Sequence, residues 1–258
     1  MVIWAWIGAL LIGVSLGLLG SGGSILTVPV LVYLVGQDEK VAFASSLAIV
    51  GLISLVSAIA YAKRNQVDWR NVVWFGVPGM VGAVFGAYAA RYVPSWIQML
   101  IFSVLLLVAA TLMFRPVKLN NEPHTPRAFW QVGLDGFLVG GITGLVGVGG
   151  GFLIIPALVL LGGLSMTMAV GTSLVIITMK SASGFWEYLH VLDALQLSLD
   201  WGLIAVFSLL GIAGGFVGQK LNDRLPQQLL RRLFAVFLLL MGSFILWRNL
   251  PKLMGVFA

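Results

Sequence analysis

Two glycine clusters dominate the chemistry this chain could carry: Gly17-Leu18-Leu19-Gly20-Ser21-Gly22-Gly23 and Gly144-Leu145-Val146-Gly147-Val148-Gly149-Gly150. Both lie inside stretches too apolar for ordinary loops, and each runs on into a proline, Pro29 or Pro156. Breaking a helix in hydrocarbon frees backbone N–H and C=O groups that only protein or a water-filled cavity can satisfy. A helix restarting near Ser24 or Gly151 would aim free N–H groups and its positive dipole end at the break. That is the arrangement which holds anions at helix N-termini. A kink or a tight crossing also calls for glycine. Two clusters in matching places favour a substrate site over Gly20, Gly22, Gly23 and Ser24 and over Gly147, Gly149, Gly150 and Gly151. Neither cluster fits a dinucleotide or Walker phosphate loop.

Hydroxyls and one cation extend this set. Ser45-Ser46 and Thr172-Ser173 sit a few residues into the block that follows each cluster. Their hydroxyls can donate to an anion without fixed charge, the alternative being a bond back to the helix carbonyls or to a neighbouring helix. Lys180 is the one basic residue deep within an apolar block. A central lysine costs ~2.5–3.5 kcal/mol on insertion scales, so it is expected to face a cavity or an anion. Its repeat counterpart is Ile53, which makes a charged site asymmetric. Asp135 is expected in an interfacial role near a helix start, the alternative being a buried proton carrier. Glu187, His190, Asp193 and Asp200 are expected on a solvated end. No Ser/His/Asp set or carboxylate pair offers hydrolytic catalysis, so an enzyme is not expected. With no cysteine and two distant histidines, His124 and His190, neither a metal nor a cofactor is expected.

The elements that position these residues are membrane spans. The chain has 258 residues, 60% hydrophobic and 9% charged, against roughly a quarter charged in soluble domains. Its mean hydropathy is +1.04. An all-α polytopic membrane protein follows, its main partner the lipid bilayer. The formal charge of +6 is expected on cytoplasmic loops, with no nucleic-acid partner. The opening residues lack a basic n-region and a cleavage site, so they read as membrane segment. Apolar blocks run at 2–36, 41–62, 71–92 and 95–114, then 128–163, 166–190, 201–222 and 226–247. The first block of each set exceeds the ~20 residues of one span, and each holds its glycine cluster near the middle.

The two sets are tandem repeats of about four blocks. At an offset of 127, Gly20/Gly147, Pro29/Pro156, Ser46/Ser173, Ser54/Ser181 and Tyr61/Tyr188 match; at 132, Asp68/Asp200, Trp69/Trp201, Gly82/Gly214 and Gly86/Gly218 do. Residues 1–115 and 128–258 form the repeats, and 116–127 a cytoplasmic linker. If each long block turns back at its glycines, the repeats invert. Lys63, Arg64, Arg70, Arg115, Lys118, Arg127, Lys220, Arg224, Arg231 and Arg232 then share one side, against Lys40, Arg91, Arg248 and Lys252. Eight plain crossings divide the charges almost evenly. The bias of basic residues to the cytoplasm favours inverted repeats with broken or re-entrant helices and both termini outside.

The pattern G-L-x-G-x-G-G-(S/G)-x-L-x-x-P in both halves, with (A/G)-(S/T)-S-L downstream, resembles the sulfite exporter TauE/SafE family, from about residue 5 to 248. The resemblance implies a transporter of sulfite, organosulfonates or related small anions in the bacterial cytoplasmic (inner) membrane. It also implies that Gly20, Gly22, Gly23, Pro29, Gly147, Gly149, Gly150 and Pro156 shape the pathway. Ser24 stands where the second repeat has Gly151. An interior negative by 100 mV drives a monovalent anion outward with ~2.3 kcal/mol, so export by alternating access needs no coupling ion. An anion channel and a non-transporting membrane scaffold or assembly protein are the alternatives.

Overall fold

The computed structural model describes residues 2–114 and 129–257. The linker expected over 116–127, with His124, lies outside the described residues. Ten helices account for the described residues, five on each side of the 115–128 segment, in the halves that the sequence reads as repeats. The first repeat holds α1 (Val2–Leu19), α2 (Gly22–Val35), α3 (Glu39–Lys63), α4 (Trp69–Ala90) and α5 (Ser95–Phe114). The second holds α6 (Phe129–Val146), α7 (Gly151–Leu160), α8 (Met166–Ala194), α9 (Trp201–Asn222) and α10 (Gln227–Phe257). Among the described residues six helices are long and apolar enough to cross a membrane, and the protein is a multi-pass, all-helical membrane protein. Exposed Leu, Val and Phe cover its outside, as a lipid-facing surface requires.

Both long first blocks are interrupted at their glycines. α1 stops at Leu19, and Gly20 takes φ +70, a left-handed conformation that only glycine adopts cheaply. The chain then folds back. A Cβ on Gly22 would meet Ser15 at 2.7 Å, and one on Gly8 would meet Val30 at 3.0 Å and Leu34 at 3.9 Å. Residues late in α2 thus lie beside residues early in α1, which makes the pair an antiparallel hairpin. In the second repeat Gly147 and Gly150 take φ +65 and +80 before α7 begins. Pro29 and Pro156 lack the N–H needed for an i→i−4 bond, and just beyond each the helix widens to π-type turns, Val30–Val35 and Ala157–Leu161.

The two repeats lock through glycine seams. α1 lies on α9, with Gly13 against Gly211 and Gly218 against the Val14 carbonyl; α6 lies on α4, with Gly140 against Gly79 and Gly86 against the Gly141 carbonyl. Each contact of one seam is the repeat equivalent of a contact in the other. Small residues let backbones approach this closely where longer side chains would hold them apart.

The centre belongs to α3 and α8, the two most buried spans. Leu47 packs against Gly184, Gly51 against Ser181 and Tyr61 against Gly171, so the two helices run antiparallel. Outside them, Arg64 pairs with Asp223 and Arg231 Nε donates to the Met113 carbonyl, gathering the ends of α3, α5 and α9 and the start of α10 at one end. At the other end Lys40 Nζ donates to the Ala90 and Val93 carbonyls and to Gln98 Oε1. Arg248 there lies 5.0 Å over the Tyr33 ring.

Candidate functional site

The restarts of α2 and α7 differ from the starts of α3, α4, α8 and α9. Asp38, Asp68, Ser165 and Asp200 each cap their helix with a side-chain oxygen, accepting for example from Lys40 N at 2.8 Å and from Leu203 N at 2.9 Å. Such a cap satisfies N–H groups that the helix itself leaves free. Ser21 occupies the cap position of α2 but makes no side-chain bond to it, and Gly150, at the cap of α7, has no side chain to offer. Both uncapped starts are buried, and they meet: a Cβ on Gly151 would lie 3.0 Å from Ser21 Cα.

The sequence-singled glycines divide into two roles. Gly22 and Gly23 face Ser15, Ile12 and Leu16 of α1, and Gly150 faces Thr143 of α6, so all three let a hairpin close on itself. Gly20, Gly147, Gly149 and Gly151 face the α3–α8 pair or the opposite break. A Cβ on Gly20 would meet Val170 and Ser173, and one on Gly147 would meet Phe43. One on Gly149 would meet Ser181 Oγ at 3.1 Å, with Ile177 and Val50 each at 3.3 Å.

Hydroxyls separate the same way. Thr27, Ser103, Thr143 and Thr178 donate back to carbonyls of their own helices at 2.6–2.9 Å, the ordinary fate of a helical hydroxyl. Ser173 also does so, to the Val170 carbonyl at 2.8 Å, while reaching the Gly20 carbonyl at 3.3 Å. Thr172 Oγ1 accepts from the Asp68 N–H at 2.9 Å. Ser24, Ser45 and Ser46 are wholly buried and have no hydrogen-bond partner among the described residues. Three hydroxyls not singled out as site residues share that condition: Ser21, Ser54 and Ser181. Their available signals were the serine inside the first cluster and the Ser54/Ser181 repeat match. Ser208 of α9 is a further unpartnered serine.

Lys180 is 1% exposed and its Nζ has no hydrogen-bond partner. Its stem lies in the junction of α8 with α4 and α6, Cδ 3.2 Å from where a Gly79 Cβ would stand, beside the Gly136 carbonyl. Its Nζ hydrogen-bonds to neither glycine break. The repeat-equivalent place, against Gly211, is filled by Ile53. Asp135 is half-buried and carries an interaction of its own. Among the described residues no cluster of acidic or histidine side chains could hold a metal.

The two breaks bring together uncapped helix starts and buried hydroxyls without partners. Comparison with known proteins identifies the family. The family described as sulfite exporter TauE/SafE matches residues 5–245. A probable membrane transporter protein of Xylella fastidiosa (strain Temecula1) is 30% identical over 253 residues, covering 95% of each chain. One of Bacillus subtilis (strain 168) is 28% identical, covering 93% of this chain and 96% of its own. One of Methanocaldococcus jannaschii is 25% identical, covering 92% and 94%. No solved structure matches. The chain is a membrane transporter belonging to the sulfite exporter TauE/SafE family.

Proposed function

We propose that the protein exports small sulfur-containing oxyanions, sulfite or organosulfonates, across the bacterial cytoplasmic membrane by alternating access. The observation that carries this reading is the meeting of two uncapped helix starts where Ser21 and Ser24 are buried without partners, with Ser45 and Ser46 of α3 likewise buried and unpartnered. A buried polar group with no partner costs about 1–3 kcal/mol, and an oxyanion offers acceptors for several at once. Lys180 supplies the one fixed charge, so a bound monovalent anion leaves the site neutral. The repeats are inverted in this reading, which the antiparallel packing of the equivalent helices α3 and α8 supports. Lys63, Arg64, Arg70, Lys220, Arg224, Arg231 and Arg232 gather at the end that carries the Arg64–Asp223 pair, which is then cytoplasmic. Carrying a monovalent anion out of a cell negative by 100 mV releases ~2.3 kcal/mol, and no acidic relay is required.

Purified protein in liposomes tests this directly. Saturable sulfite flux, competed by a small organosulfonate and sensitive to membrane potential, is the expected result. Absence of sulfite flux under an imposed gradient, with folded protein in the bilayer, overturns it.

A further inference from the structure

The most buried donors that the glycine motifs do not account for lie on α3 and α8. Ser181 Oγ abuts the second break, 3.1 Å from where a Gly149 Cβ would stand, and is 1% exposed without a partner. Ile177, one turn earlier, touches both Gly149 and Gly151, so Ile177 and Ser181 present one face to the break. On α3, Val50 touches Gly149 and Ser54 stands one turn later on the same face, wholly buried and unpartnered. Ser54 and Ser181 are equivalent positions of the two repeats.

A packing role explains small side chains here, since Gly51 approaches Ser181 Cβ closely. It does not explain hydroxyls. Alanine would fit the same space, and a serine kept only for size would bond back to its helix, as Thr178 does to the Leu174 carbonyl. We infer that Ser181 and Ser54 contact the transported oxyanion and set its specificity, each donating a hydrogen bond from the α3–α8 wall opposite the helix breaks. This rests on the anion-transport reading above and adds a wall to its site. Directional donors on that wall favour an anion with several acceptor oxygens, such as sulfite, over a spherical halide.

The test uses the full chain in liposomes, with sulfite and chloride as probes, and its melting in detergent with and without sulfite. The variants are Ser181→Ala, Ser54→Ala and, as a control one turn away, Thr178→Ala. Losing a hydrogen bond to a charged acceptor predicts a roughly tenfold or greater rise in KM for sulfite in each serine variant. Chloride competition against sulfite should strengthen. Ligand-free melting should hold or rise by about 2–4 °C, because an unsatisfied hydroxyl is gone. Thr178→Ala should leave KM within twofold of wild type. If Ser181→Ala does not assemble, Ser181→Cys, a weaker donor of similar bulk, should give an intermediate KM. Wild-type flux with unchanged KM in the serine variants overturns this inference alone. No saturable sulfite flux and no sulfite-induced melting shift in the wild type overturns the transport reading and this inference with it.

Discussion

Replacing Lys180 by methionine separates two accounts of that residue by the sign of one number. Lys180 is 1% exposed, its Nζ has no hydrogen-bond partner, and its stem lies against Gly79. Methionine is unbranched and adaptable enough to fill that space. An unpaired lysine deep in a span costs ~2.5–3.5 kcal/mol; removing the charge should return most of it, raising ligand-free stability by about 2–3 kcal/mol. Loss of a charged contact to the anion, about 1.5–3 kcal/mol, should weaken sulfite binding roughly tenfold to a hundredfold. Stability up and affinity down is therefore the expected signature. A lysine held by a fixed counter-group of the protein predicts the reverse first sign, since breaking a buried pair costs about 3–5 kcal/mol. Melting in detergent gives the first quantity and titration calorimetry with sulfite the second. Lowered ligand-free stability with unchanged affinity would refute the reasoning.

Three further outcomes follow from the packing. Gly86→Leu places a Cβ against the Gly141 carbonyl, where backbone cannot yield, so it should cost about 1–3 kcal/mol or more in a detergent melt; Gly218→Leu, at the equivalent seam, should cost the same. Asp200→Ala removes the acceptor for the Leu203 N–H and should cost about 1 kcal/mol. Asp68→Ala should cost more, because that carboxylate accepts from Arg70 N, Asn71 N and Asn71 Nδ2. The chain has no cysteine, so single Lys63→Cys and Arg91→Cys variants can be labelled cleanly; an impermeant maleimide should reach Arg91→Cys from outside and Lys63→Cys only from inside. Labelling of both from one face would sink the assigned orientation.

Much of this fold is written in glycine and proline. The breaks were legible because a run such as Gly147-Val148-Gly149-Gly150 cannot continue a helix through hydrocarbon, and Pro156 marks where the restarted helix loses a bond. The seams were legible as Gly82/Gly86 and Gly214/Gly218. What each glycine faces was not, because that depends on which helices the repeats exchange: α1 packs on α9 of the other repeat, and α4 on α6. Only that exchange turns Gly22, Gly23 and Gly150 toward their own hairpins while Gly149 and Gly151 turn to the centre. Nor does a motif distinguish a hydroxyl that bonds back to its helix from one that does not. Thr178 and Ser181 lie a turn apart on α8, and only their surroundings separate them.

Backbone symmetry and side-chain asymmetry together constrain how the repeats can exchange roles. Thr172 accepts from the Asp68 N–H and Ser173 reaches the Gly20 carbonyl, whereas their equivalents Ser45 and Ser46 have no partner. Under alternating access between inverted repeats, the second state is the first with the halves interchanged. Ser45 should then accept from the Asp200 N–H and Ser46 reach the Gly147 carbonyl, while Thr172 and Ser173 are released. The backbone permits this exchange, because Asp68/Asp200 and Gly20/Gly147 match. The donors do not make it isoenergetic: the repeat counterparts of Ser21 and Ser24 are Val148 and Gly151, and that of Lys180 is Ile53. An anion held by Ser21 and Ser24 in one state would find no equivalent hydroxyls in the interchanged one, and that state should bind it more weakly.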